Sequence, residues 1–301
     1  EPPNLELLVS QVQKAGAVAY SPQQAEAVRA AAVSRLLIVT GGPGTGKTTI
    51  LRGILDLFSR MELRALLAAP TGRAAKRLQE VTGQEASTIH RLLESQLDPA
   101  TGQLIFTRDE DNPLKAHAVI VDETSMVDLP LLASLLRALP TGCRLILVGD
   151  PDQLPPVGPG CPLSDILRSG VVPAVRLTEI FRQAQESLIV MNAHRVNSGV
   201  MPDLKTVTSD FFFLRRRTEE AVASTIGDLC RTRLPDRMGI PPEEIQVLSP
   251  TRKGPTGTAS LNLLLQAQLN PPAPDKKEKK WGDFSFREGD RVMQIRNNYD
   301  I

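Results

Sequence analysis

Leu36-Leu37-Ile38-Val39-Thr40-Gly41-Gly42-Pro43-Gly44-Thr45-Gly46-Lys47-Thr48-Thr49 decides how the chain is read. Its first five residues are uncharged and turn β-branched, the pattern of a strand buried on both faces of a parallel sheet. The next eight match GxxxxGK[ST], and the apolar, helix-patterned residues 50–58 follow at once. Glycines at those places let the backbone curl until successive N–H groups point at phosphate oxygens. The helix N-terminus adds its dipole, Lys47 neutralises charge on the β and γ phosphates, and Thr48 reaches a Mg²⁺. Gly42, Pro43, Gly44, Thr45, Gly46, Lys47, Thr48 and Thr49 are therefore the expected nucleotide-binding residues, with ATP and Mg²⁺ the expected cofactors.

Outward from this stretch, strand-like runs recur at 65–69, 118–121 and 144–148, separated by helical pattern or polar loop. Apolar spacing predicts a helix over 5–20, and Ser21-Pro22 predicts an N-cap and first residue for a second helix through Val33. The alternation predicts a doubly wound α/β sheet. A second such rhythm begins after Pro202, with strands at 211–214, 245–248 and 291–295 and helices at 219–231 and 258–269. The chain thus reads as two α/β domains with parallel sheets, 1–200 and 201–301, divided near Gly199 to Pro202, the second incomplete. Residues 94–116 break the first rhythm as a small insertion: 98–102 read as a turn and 103–107 as a short strand leading into Asp109-Glu110-Asp111. The Pro- and Lys-rich stretch 271–280 reads as a solvated loop.

Composition narrows the function classes. The 301 residues are 41% hydrophobic and 23% charged, which excludes a disordered chain and supports two cores. With 35 basic and 34 acidic residues the net charge is +1, so any nucleic-acid surface must be a local patch. Cys143, Cys161 and Cys230 form no CxxC pair and have no histidines at ligand spacing, which points to a reducing, cytoplasmic setting and away from zinc or a disulfide framework. No apolar run reaches the ~20 residues of a membrane span. Glu1-Pro2-Pro3 lacks the features of a signal peptide, and the missing initiator methionine suggests a chain cut from something longer.

The remaining chemistry lies at strand ends. Val119-Ile120-Val121-Asp122-Glu123 is a strand closing in two acids, where Asp122 would hold Mg²⁺ and Glu123 would deprotonate an attacking water. Leu145 to Val148 runs into Gly149-Asp150-Pro151-Asp152-Gln153-Leu154-Pro155-Pro156, whose Gln153 can point at the γ-phosphate from the ligand-binding edge of such a sheet. Thr71 and Arg73 follow another strand, where a hydroxyl and helix N–H groups can take a DNA phosphate; Thr71 as a plain N-cap is the alternative. Thr251 and Arg252 are expected at an equivalent strand end in the second domain. Period-two alternation makes Phe212 core and Arg215-Arg216-Arg217 solvated. His117 and His194 are assigned no role. These residues by themselves leave three functions open: an ATP-driven translocase on single-stranded DNA, a P-loop nucleotide switch or small-molecule kinase, and a catalytically silent DNA- or partner-binding module.

Taken together, the motifs resemble the superfamily 1 helicases, most closely the RecD-like 5′→3′ bacterial DNA helicases, over Tyr20 to Tyr299. Residues 21–28 (SPQQAEAV) resemble the Q motif, GGPGTGKTT motif I, APTGRAA from Ala69 motif Ia and STIHRLL from Ser87 motif Ib. VDETSMVD from Val121 resembles motif II, GDPDQLPPVG from Gly149 motif III and LTEIFRQ from Leu177 motif IV. The stretches from Val247 (VLSPTRKGPTG) and Gly289 (GDRVMQ) resemble the second motor domain. The resemblance implies two RecA-like domains and an enzyme of DNA repair that couples ATP hydrolysis to movement on single-stranded DNA and to unwinding at its junction with duplex. It makes Gln24 the reader of the adenine edge, Arg182 an arginine reaching the γ-phosphate, and Thr71, Arg73 and His90 DNA contacts. It also makes the 94–116 insertion, with apolar Leu104-Ile105-Phe106, a wedge at the duplex junction, against the alternative of an inert surface loop. Motifs V and VI should follow Tyr299, but the sequence stops at Ile301. As it stands it is expected to bind nucleotide better than it hydrolyses it. Protein partners are not legible.

Overall fold

The computed structural model describes residues 4–98, 101–207, 210–282 and 284–293, with the side chains of 182 and 183 outside that set. The chain divides into two compact units, Glu1–Phe212 and Phe213–Ile301. In the first, helices α1 (Leu5–Gly16) and α2 (Pro22–Val33) precede strand β1 (Leu36–Gly41), helix α3 (Lys47–Arg60), β2 (Ala65–Ala69) and α4 (Gly72–Thr82). The order continues with β3 (Ala86–Thr88), α5 (Ile89–Leu92), β4 (Ser95–Leu97), β5 (Leu104–Phe106), β6 (Ala118–Val121), α6 (Leu129–Arg137) and β7 (Arg144–Gly149). It closes with α7 (Pro162–Ser169), β8 (Ala174–Leu177), α8 (Arg182–Gln185) and α9 (Leu188–Asn197). Six strands form one parallel sheet in the order β3-β2-β6-β7-β1-β8.

Both faces of that sheet are buried, as the unbroken apolar runs require. Leu37, Val39, Ile120, Ile146 and Val148 meet Val9, Val12, Val28, Ile54 and Phe58 from α1–α3 on one face. Ile38, Val119, Val121, Leu145 and Leu147 meet Ile89, Leu132, Leu135 and Leu163 from α5–α7 on the other. The N-cap expected at Ser21 is present and is part of a full capping box, with Ser21 Oγ accepting from Gln24 N and Gln24 Oε1 from Ser21 N, and Pro22 opens α2 as expected. Two strands of this sheet escaped the sequence pattern. β3 is a three-residue edge with two hydroxyl residues and β8 is a four-residue edge, both too short for a periodic signal.

The insertion is an antiparallel hairpin, β4 with β5, rooted by an Arg108–Glu94 ion pair at 2.7 Å. Asp98 and Gly102 close its turn through Gly102 N on Asp98 O; residues 99 and 100 lie outside the described set.

The break between units falls beyond the expected 199–202, because the segment after α9 folds back on it. Asn192 is buried and exchanges two hydrogen bonds with the Asp203 backbone, and the Asp210 carboxylate accepts from Ser187 Oγ and Leu188 N at the start of α9.

The second unit departs further from expectation. Its helices are α10 (Glu219–Asp228), which runs through a wide turn at Leu229–Arg233 into α11 (Leu234–Met238), and α12 (Thr258–Leu269). Residues 211–214 and 245–248 form no strand, since a strand needs a neighbouring segment to complete its ladder and neither stretch belongs to a sheet among the described residues. Phe212, expected in the core, is 49% exposed for the same reason. Residues 291–293 form no strand, with Arg291 donating to the Glu243 and Ile245 carbonyls, and 294–295 lie outside the described residues. The strands present are an antiparallel pair, β9 (Glu278–Trp281) and β10 (Phe284–Arg287), so the expected loop at 271–280 ends in a strand and the described part of this unit has no parallel sheet. Among the described residues no helix is long and apolar enough to cross a membrane.

Candidate functional site

The GxxxxGK[ST] stretch is the turn between β1 and α3, and its hydrogen bonds show how it is held. Lys47 Nζ donates to the carbonyls of Gly41 and Gly42, and Thr45 Oγ1 donates to Gly42 O at 2.8 Å. His194 Nε2 lies 3.0 Å from Pro43 O, and Phe181 N donates to Gly44 O. Four consecutive carbonyls, those of Gly41 to Gly44, are thus engaged. Among the described residues the N–H groups of Gly44, Thr45 and Gly46 have no backbone acceptor. They are the donors a phosphate would take, beside the unpaired N–H groups that open α3. Gly44 and Gly46 adopt φ of 76° and 83°, the left-handed region where a side chain is strained. A Cβ on Gly46 would lie 2.4 Å from Gln24 Nε2 and 2.9 Å from the Phe181 ring.

The sheet order places β7 between β1 and β6, so the ends of three adjacent strands deliver the phosphate loop, the Gly149–Gln153 loop and the acid pair to one edge. Burial, opposed by the Glu123 N–H on its carboxylate, raises the Asp122 pKa above the ordinary range; nearby Glu123 adds to the rise, and Lys47 and Arg77 counter it. A half-buried carboxylate held against its own charge suits a cation. Thr48 offers an exposed hydroxyl on the first turn of α3. Among the described residues no group of three or more His, Cys, Asp or Glu converges. A nucleotide-bound Mg²⁺ takes one or two protein oxygens and the phosphates, and Thr48 and Asp122 fit that demand. Glu123 has a left-handed φ of 52°, a local strain of the kind that collects at functional sites. Gln153 is exposed, and its Oε1 accepts from the buried Ser125 Oγ at 3.3 Å, which ties the β7 loop to the β6 loop.

Other sequence-derived candidates divide. Gln24 reaches the phosphate loop but is 1% exposed, with its Oε1 engaged by Ser21 N; in this conformation the amide expected to read adenine is turned inward. Arg182 opens α8, and its side chain lies outside the described residues. Thr71 caps α4 by accepting from Ala74 N, with Arg73 exposed beside it. Thr88 caps α5 in the same way, and His90 packs its ring on Phe106 of the hairpin at 5.8 Å between centroids. Thr71 and His90 therefore stand past the ends of β2 and β3, on the same sheet edge as the phosphate loop. In the second unit, Thr251 and Arg252 are exposed on a loop held by Ser249 Oγ bonds to Thr251 O and Thr256 O, and not at a strand end. His117 accepts from Arg64 N and is structural. Sequence reasoning passed over Ser125, Arg77, Asn197 and above all His194. Ser125 lies within the VDETSMVD stretch without a role attached to it, the other three have no motif spacing, and each meets its partner only through the fold.

Two family matches and several relatives agree with this geometry. Residues 24–159 match the AAA domain family, and residues 261–301 match the family described as ATP-dependent RecD-like DNA helicase SH3 domain. The second match distinguishes a module within what reads by sequence as motor domain. The chain is 39% identical over 280 residues to an ATP-dependent RecD2 DNA helicase of Deinococcus radiodurans, covering 93% of this chain and 36% of that protein. It is 40% identical over 168 residues to a RecBCD enzyme subunit RecD of Mycolicibacterium smegmatis, covering 48% and 30%. To the ATP-dependent DNA helicase dda of Enterobacteria phage T4 it is 40% identical over 126 residues, covering 40% and 28%. The chain thus spans about a third of the length of these relatives. Because the first of these alignments runs through both units, and the SH3 module is itself described as RecD-like, the chain belongs to the RecD-like helicase family.

Proposed function

We propose that this chain provides the nucleotide-binding part of an ATP-dependent DNA helicase, one that moves 5′→3′ on single-stranded DNA and separates duplex at the junction. One observation carries the reading. Along a single sheet edge, the order β3-β2-β6-β7-β1 sets the candidate DNA contacts His90 and Thr71 directly beside the acid pair, Gln153 and the phosphate loop. A small-molecule kinase or switch has no use for a capped hydroxyl row extending the nucleotide edge; a motor needs DNA and phosphate on one rigid body.

In this reading the loop N–H groups and Lys47 receive the triphosphate, and Lys47 exchanges its two carbonyls for phosphate oxygens. Thr48 and Asp122 would hold Mg²⁺, which supplies charge neutralisation when bound. Glu123 takes the proton of the attacking water, Gln153 senses the γ-phosphate, and Arg182 stabilises the transition state from α8. Thr71, Arg73 and His90 grip the strand in the first unit, Thr251 and Arg252 in the second, and the β4–β5 hairpin excludes the displaced strand. The three free cysteines suit a cytoplasmic setting.

The test is ATP turnover by the full-length protein with and without single-stranded oligonucleotide. Turnover should rise strongly with DNA and vanish in Lys47→Ala. DNA-independent turnover, or phosphate transfer to a small acceptor, would displace the helicase reading.

A further inference from the structure

His194 and Asn197, which the motifs leave out, join the two loops that the proposed chemistry must coordinate. They stand three residues apart on α9, hence on one face of the helix. His194 Nε2 is 3.0 Å from Pro43 O in the phosphate loop; a carbonyl can only accept, so Nε2 carries the proton. Asn197 Nδ2 donates to Asp152 Oδ2 at 2.7 Å, next to Gln153. Gln153 Oε1 then accepts from Ser125 Oγ, two residues beyond Glu123. The loops ending β1, β7 and β6 are tied in series by three side-chain bonds, two of them from one helix.

That helix is built not to yield. The Asp210 carboxylate and Ser187 Oγ satisfy its first N–H groups, and an acid there favours the positive end of the helix dipole. Buried Asn192 fastens its middle to Asp203 in both directions. Arg195 Nε holds Met201 O beyond its last turn. α9 also lies against the loop itself: a Cβ on Gly44 would come within 3.3 Å of Val190, and one on Gly42 within 2.8 Å of the His194 ring. A shift of Pro43 is therefore passed to Asp152 with little lost in bending.

We propose that His194 and Asn197 are positioning residues that couple the phosphate loop to the Asp152–Gln153 loop, so that a triphosphate on the first sets Gln153 on the second. The site they serve is the one assigned above, and the kinetic arm of the test rests on that assignment. Without the link the loop still takes phosphate, but Gln153 no longer follows.

Full-length wild-type protein is compared with His194→Ala, Asn197→Ala, the double variant and His194→Gln. Each alanine variant should lower DNA-stimulated kcat about five- to tenfold, the effect of losing one hydrogen bond at a reacting site, while KM for ATP moves less than about twofold. The double variant should be no slower than the slower single, because both cut one chain of contacts. His194→Gln should recover most of kcat, since its amide N–H can reach Pro43 O. A second readout is independent of turnover: hydrogen exchange at residues 150–154 should respond to a non-hydrolysable ATP analogue in wild type and lose that response in both alanine variants, although the analogue still binds. Unchanged kcat in the singles, multiplying effects in the double, KM rising as kcat falls, or a retained exchange response would each overturn the proposal. A wild type that hydrolyses no ATP with or without DNA would remove the helicase reading, and the exchange response would still decide the coupling.

Discussion

Two glycines in neighbouring motifs should answer a methyl group with opposite signs. At Gly46 the φ of 83° imposes about 1–2 kcal/mol on any L side chain. The new Cβ would lie 2.4 Å from Gln24 Nε2 and 2.9 Å from a Phe181 ring carbon. Neither neighbour can step aside freely. Gln24 is buried and completes the α2 capping box, an arrangement worth about 1 kcal/mol, and the Phe181 N–H is bound to Gly44 O. Gly46→Ala should therefore destabilise the first unit by about 2–4 kcal/mol, or roughly 4–16 °C in Tm for a unit of this size. Gly72 opens α4 with nothing within 4 Å of its Cβ position and no left-handed φ. Gly72→Ala should gain about 0.4–1 kcal/mol by restricting the unfolded chain, raising Tm by about 1–4 °C. Differential scanning calorimetry of this chain without nucleotide measures both. An unshifted Gly46→Ala, or a Gly72→Ala that falls with it, would refute the packing described around the phosphate loop.

Glu123→Gln should retain ATP binding, read with a fluorescent nucleotide, while turnover by the full-length protein falls by about 10² or more, because a base is removed and a metal ligand kept. Asp122→Asn should do the reverse twice over: Mg²⁺-dependent nucleotide binding is lost, while the nucleotide-free protein melts higher by about 1–4 °C, since a carboxylate with a raised pKa opposes folding when charged. The same sign gives a pH effect. In wild type this group's contribution falls as pH rises from its ordinary range through the raised value, and parallel melts of Asp122→Asn, which should lack that slope, isolate it. Replacing Leu97, Leu104 and Ile105, which are 67%, 50% and 44% exposed on the hairpin, by serine should leave Tm within about 1–2 °C and ATPase intact while unwinding of a forked duplex falls. Unchanged unwinding would make the hairpin an inert loop. Excising 98–108 is the poorer test, because it removes Phe106 from His90 and Arg108 from Glu94.

What could be read in the chain depended on how local its cause was. The β1–loop–α3 unit, the acid pair and the N-cap at Ser21 are each set by residues within a few positions of one another, and all stand where the pattern puts them. The hairpin was legible as an insertion because its turn chemistry is local, although β4 itself was not anticipated. The expected strands at 211–214 and 245–248 failed because a strand is a property of two segments, and an apolar run says nothing of its neighbour. Gln24 was legible as a site residue but not in its inward orientation, which the capping box decides. His194 was invisible: 151 residues separate it from Pro43, and no spacing rule spans that distance.

The bonds behind the phosphate loop bear on how binding and chemistry divide. With the carbonyls of Gly42, Pro43 and Gly44 held by Thr45, His194 and Phe181, most of the loop's shape is set before any ligand arrives, and little entropy of ordering it is charged against affinity. The adjustment left is the lysine. Its Nζ must leave two carbonyls for phosphate oxygens, an exchange of neutral acceptors for charged ones that favours the bound state. Affinity should therefore come mainly from the loop and Lys47, which lie within one contiguous stretch. Glu123 and Gln153, the residues proposed for hydrolysis, reach the same edge from β6 and β7. A motor requires that division, since nucleotide must be held through a cycle in which cleavage is switched on only by a change elsewhere. Among the described residues, the side-chain hydrogen bonds that join these three strand ends run through Ser125, Asn197 and His194, so α9 is a direct link between the β7 loop and the phosphate loop.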